Sequence, residues 1–145
     1  MVRIQMASAL IVAALLTLAG CAPPEDGIDP KGKTFDGIAP GEIISLTGTE
    51  PFWAIQIKGE EARYSNPEHP EGFAFTVARF AGNNGLGLSG TLFEQPVTIT
   101  LTPGQCSDGM SDRAYPFVAT VALGKETLRG CGFTDQQPYR GEPAP

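Results

Sequence analysis

Basic side chains are scarce in this chain. Ten Lys and Arg stand against sixteen Asp and Glu, which gives a net charge of −6. No basic run occurs, so the clustered cations that grip a phosphate backbone are missing and nucleic acid is excluded as a partner. Histidine is scarcer still, with His69 alone. A serine–histidine–acid site would have to use it, and no G-x-S-x-G elbow is present. Cysteine is limited to Cys21, Cys106 and Cys131, without a C-x-x-C pair. Two thiols and one histidine are too few obvious ligands for zinc. After residue 20 no convincing helical period appears. These shortages point to an all-β domain that is not an enzyme and takes no cofactor or metal.

What the chain does have begins with an address. Arg3 precedes an apolar run, Ala7 to Ala19, too short to span a bilayer comfortably and lacking a stop-transfer flank. It ends in Leu18-Ala19-Gly20-Cys21, which resembles the bacterial lipoprotein box. The resemblance implies cleavage before Cys21 and lipid on that residue; an ordinary secretory signal is the alternative. Ala22, in place of an aspartate, implies outer-membrane anchoring on the periplasmic face by that family's sorting rule. Cleavage would leave 125 residues, enough for one domain with a modest core, and a net charge of −7. Such a chain favours a basic partner electrostatically. Residues 21–40 are rich in Pro, Gly and Asp and read as a tether, with Phe35 as its first anchored residue. Residues 41–134 read as the domain and 135–145 as a frayed tail.

Within the domain, apolar residues alternate with polar ones. Trp53, Ile55 and Ile57 share one face, as do Phe73, Phe75 and Val77. Val97, Ile99 and Leu101 share another, and so do Phe117, Ala119, Val121 and Leu123. Period two buries one face of a strand. The loop 66–72 holds two prolines, and Gly82-Asn83-Asn84-Gly85 is a hairpin signal. About eight short strands with short connections predict an antiparallel meander, closed or nearly closed into a barrel; a two-sheet sandwich is the alternative. With Cys21 lipidated, Cys106 and Cys131 remain for one disulfide. If Gly124-Lys125 is a hairpin tip, Cys131 falls opposite about Val118, near where the loop from Cys106 arrives.

Two stretches stand apart from this plain β texture. One is Cys106-Ser107-Asp108-Gly109-Met110-Ser111-Asp112-Arg113-Ala114-Tyr115-Pro116-Phe117. Asp108 and Asp112 flank a glycine but do not fit a calcium loop, so a turn and a cap are the expected roles. The other is Gly48-Thr49-Glu50-Pro51-Phe52-Trp53. Glu50, beside an aromatic pair, should seek a cation, and Trp53 is either core or a flat surface at a barrel mouth. Candidate binding residues are therefore Glu50, Trp53, Asp108, Asp112, Arg113 and Tyr115. Arg113 is expected near Glu50 and Trp53, although strand parity places the two strand starts at opposite ends; a local ion pair with Asp108 or Asp112 is the alternative. His69, between Glu68 and Glu71, reads as a solvated loop residue in preference to a metal ligand. Gly85 to Gly90 matches G-x-G-x-x-G but starts at a hairpin tip and enters a strand, so it is no dinucleotide site.

These two motifs, with Tyr115-Pro116-Phe117 and Cys131, resemble a family of uncharacterised bacterial envelope proteins and lipoproteins over residues 42 to 133. The resemblance implies no activity. The plan is more loosely similar to the heat-shock-related META domain and to lipoprotein inhibitors of C-type lysozyme. The expectation is a lipid-anchored module that binds an envelope protein, in the manner of an inhibitor. A small-ligand carrier like a miniature lipocalin is the second reading; it requires an interior cavity.

Overall fold

The computed structural model describes residues 34–142. The expected signal segment, Cys21 and the first part of the tether lie outside the described residues. Eight strands follow one another: β1 (Ile44–Thr49), β2 (Phe52–Lys58), β3 (Glu61–Asn66), β4 (His69–Ala81), β5 (Leu86–Leu92), β6 (Gln95–Ser107), β7 (Ala114–Leu123) and β8 (Glu126–Thr134). Each pairs antiparallel with the next, and β1 pairs with β8, so the sheet closes into a barrel. Closure removes the open edges that a sandwich would leave.

The alternation explains the closure. Ile44, Leu46, Trp53, Ile55, Ile57, Val97, Ile99, Leu101, Phe117, Ala119 and Val121 all join one buried cluster, while their polar neighbours face out. The barrel axis is filled by these side chains.

One end is sealed by the chain before β1. The Phe35 N–H donates to the Gly82 carbonyl, and Ile38 is buried in the core. The domain thus begins ahead of residue 41. Glu42 anchors the seal. Its carboxylate accepts from the Ala39 N–H at 2.7 Å, from the Thr134 hydroxyl and from the Gln137 amide. Burial pushes the Glu42 pKa up, but these donors together outweigh it and leave the carboxyl below its usual range.

Three expectations of the sequence need correction. The loop 66–72 is a tight turn at Pro67-Glu68, with Asn66 opposite His69, and β4 starts there. Pro70 is tolerated because it lies in an irregular stretch of the β3 ladder, ahead of the first β5 partner at Val77. The stretch from Cys106 does not begin as a loop: β6 runs on to Ser107 in a long β6–β7 hairpin, with a register shift between Pro103 and Cys106. The tail is not frayed as far as Glu142: Ala114 and Arg140 exchange two backbone hydrogen bonds, at 2.8 and 2.9 Å.

Candidate functional site

The site is built by that overlong hairpin. Cys106 and Cys131 form a disulfide, with 5.6 Å between Cα atoms. Cys131 sits opposite both Val118 and Thr47, in a row out of phase with the buried Leu46 and Phe117. It therefore points outward, yet it is buried. The cover is the hairpin end, which folds back across the outer face of β8. Its reach extends to β1, where the Thr49 hydroxyl donates to the Asp108 carbonyl at 3.1 Å. The two unusual stretches are thus joined, and the joining residue is Thr49, not Glu50.

Asp108 holds the loop in shape. Its carboxylate accepts from the Met110 N–H at 3.0 Å, the Ser111 N–H at 2.8 Å, the Ser111 hydroxyl at 2.7 Å and the Tyr115 hydroxyl at 3.1 Å. Gly109 supplies the left-handed residue of the turn, at φ 72°. The Met110 N–H, followed by both Ser111 donors, keeps the Asp108 pKa far below the usual carboxylate range, against the upward push of burial. With its lone pairs engaged locally, Asp108 serves the turn. Asp112 is exposed. Among the described residues no group of three His, Cys, Asp or Glu is placed to hold a metal ion.

Arg113 does not reach Glu50, and it forms no direct ion pair with Asp108 or Asp112. Its guanidinium lies 4.3 Å from the centre of the Tyr139 ring. Tyr115 is buried outside the barrel core, packed on Phe133 and Tyr139 at 6.0 and 5.5 Å between centroids. β8 supplies Phe133 and the tail supplies Tyr139, which no apolar period marked in the sequence. Trp53 is 3% exposed and belongs to the core, so it offers no surface. Its neighbour Phe52 is the exposed ring, at 52%. Met110 at the loop tip and Val118 on β7 are 62% and 41% exposed. Sequence reasoning missed all three as candidates; the alternation marks Phe52 and Val118 as outward. His69 pairs with Glu71 at 3.5 Å and leans on Phe73.

Shallow grooves run along this face. One, of about 260 Å³, lies between Thr47, Asp108, Val118 and Arg129. A second, of about 300 Å³, lies between Phe52, Asn66, Pro67 and Pro70, and shares Thr47 and Gly48 with the first. No family model, curated protein or solved structure matches the chain.

The network around Asp108 predicts an acid-sensitive loop. The carboxyl titrates lower when folded than the unfolded value of about 4. Its stabilisation is therefore present above that pH and is lost as pH falls through the folded pKa. Asp108→Ala should cost about 1 kcal/mol at pH 7, since it removes the acceptor of four donors that are only part-buried or exposed. Urea titrations of both proteins should show a narrower gap at pH 2.5 than at pH 7; an equal gap would show that the charge does not hold the loop.

Proposed function

We propose that this domain is a protein-binding module of the bacterial envelope, acting by occlusion without catalysis and held at the membrane through lipid on Cys21. The observation that carries this reading is the refolded hairpin. A loop pinned by a disulfide, by the Asp108 network and by Thr49 leaves Met110 exposed at its tip, and Val118 on β7 and Phe52 on β2 are exposed as well. Large apolar side chains on a pre-ordered surface lose little entropy on binding, so they suit a protein interface. The filled barrel axis speaks for this reading over a carrier, which would need internal space. The disulfide fits an oxidising compartment, and the acidic charge suits a basic partner.

Photo-crosslinking residues placed at Phe52, Met110 and Val118 in intact envelopes should each yield the same discrete protein adduct. Ala78, exposed on β4, should yield none. Adducts from Ala78 alone, or none from any position, would sink the proposal.

A further inference from the structure

The barrel end opposite the one sealed by Ile38 carries four tight turns. They are Glu50-Pro51, Pro67-Glu68, Phe93-Glu94 and Gly124-Lys125. Glu50, Glu68, Glu71, Glu94 and Glu126 are all exposed there. Lys125 is the cation within those turns, and Arg63, lower on β3, donates to the Glu71 carbonyl.

Among these turns lies a groove of about 630 Å³, walled by Tyr64, Asn66, Phe93, Leu123, Lys125 and Glu126, so one of the acids lines it directly. It shares Asn66 with the groove beside Phe52, so it continues the face already described. Phe93 is 48% exposed, with its ring edge-on to Tyr64 at 6.0 Å and to Phe73 at 4.8 Å. Its placement is held against a backbone preference. Phe93 and Glu94 both take left-handed φ, 54° and 59°, in a two-residue turn that normally calls for Asn-Gly. A ring and an acid thus occupy the tip where the turn itself favours neither.

We infer that this groove takes a cationic segment of the partner: an exposed stretch with Lys or Arg next to an apolar side chain. The inference deepens the protein-binding reading and rests on it. The apolar side chain, or the stem of the cation, lies between Tyr64, Phe93 and Leu123. The charge meets Glu126 in the wall and the Phe93 ring face, where cation–π attraction adds to the pairing, and Glu94 follows Phe93 in the same turn. Charge complementarity selects this occupant over an acidic one.

The test uses the full chain in an uncharged detergent and follows backbone amides by NMR. The probe is the acetylated peptide Trp-Arg-Leu-Arg amide, and its twin carries Glu in place of Arg. The Arg peptide should shift Tyr64, Phe93 and Leu123, should leave Phe80 at the sealed end unmoved, and should weaken with added salt. Phe93→Asn with Glu94→Gly installs the preferred turn, so the barrel keeps its amide spectrum. It should weaken the peptide about tenfold, as expected for losing one cation–π contact and one exposed charge pair. Equal shifts from the Glu peptide, shifts centred on Phe80, or unchanged binding by the variant would overturn the inference. Equal shifts from spermidine would overturn the assignment to a protein segment. Adducts at Met110 with a silent Phe93 groove would refute this site alone; absent adducts with a responsive groove would refute the wider face.

Discussion

Trp53→Ala should lower the stability of the domain by about 3–5 kcal/mol, in line with removal of a buried aromatic. The indole fills the turn end of the core, in a slot that two glycines leave open. A Cβ on Gly130 would lie 2.9 Å from the indole Cζ2, and a Cβ on Gly48 would strike the indole nitrogen. Both glycines face inward, in the rows of Leu46 and Gly132. The ring therefore has no neighbour able to relax into its place. Domains of this size are stable by about 5–15 kcal/mol, so this one change removes a large part of the total. Trp53→Phe should cost much less, because the indole N–H is buried without an acceptor and its loss relieves a desolvated donor. Urea unfolding of the two variants measures both effects. A loss below about 1 kcal/mol for Trp53→Ala, the range of an ordinary surface change, would show that the ring is not core.

Replacing Cys106 and Cys131 together by Ala should cost about 2–5 kcal/mol, the usual loss for a small secreted domain. The bridge closes 25 residues and joins β6 to β8 across the intervening β7. Its second effect is local. The barrel ladders do not depend on it, but the hairpin end is held over β8 by this bond, by Thr49 and by the contacts of Tyr115. The variant should therefore keep a folded barrel with a looser loop. Hydrogen exchange at Met110 and Ser111 should accelerate while Ile99 and Val121 stay protected. Uniform acceleration would mean that the bridge supports the whole barrel; none would mean that the loop stands without it.

The parts that were legible in the sequence were those with a period. Alternation along Val97 to Leu101 and Phe117 to Leu123 specified strands and their inner faces. Short connections specified a meander, and two remaining thiols specified the bridge, with Cys131 opposite Val118 as expected. What stayed hidden lacks a local signal. Strand parity argues against joining the Glu50 and Arg113 stretches, and it holds for a hairpin that stops at the barrel end. The β6–β7 hairpin runs past that end, shifts register at Gly104 and Gln105, and folds back over its neighbours. The contact it makes uses the Asp108 carbonyl, a group that every residue has. The Phe93-Glu94 turn has no local signal, because neither residue favours positive φ. Tyr139 and Arg140 sit in a polar, proline-bearing tail whose order comes from Ala114 and Arg113, distant in sequence.

The central claim is that the disulfide-tied loop and the turn from Thr49 to Phe52 make one pre-ordered binding face. The most direct measurement is the yield of the Met110 crosslink in intact envelopes, with and without the Cys106–Cys131 bond, at a temperature where both barrels are folded. The account predicts that the yield without the bond falls to the level of the Ala78 control. An undiminished yield would contradict it, because the loop would then bind without being held in place.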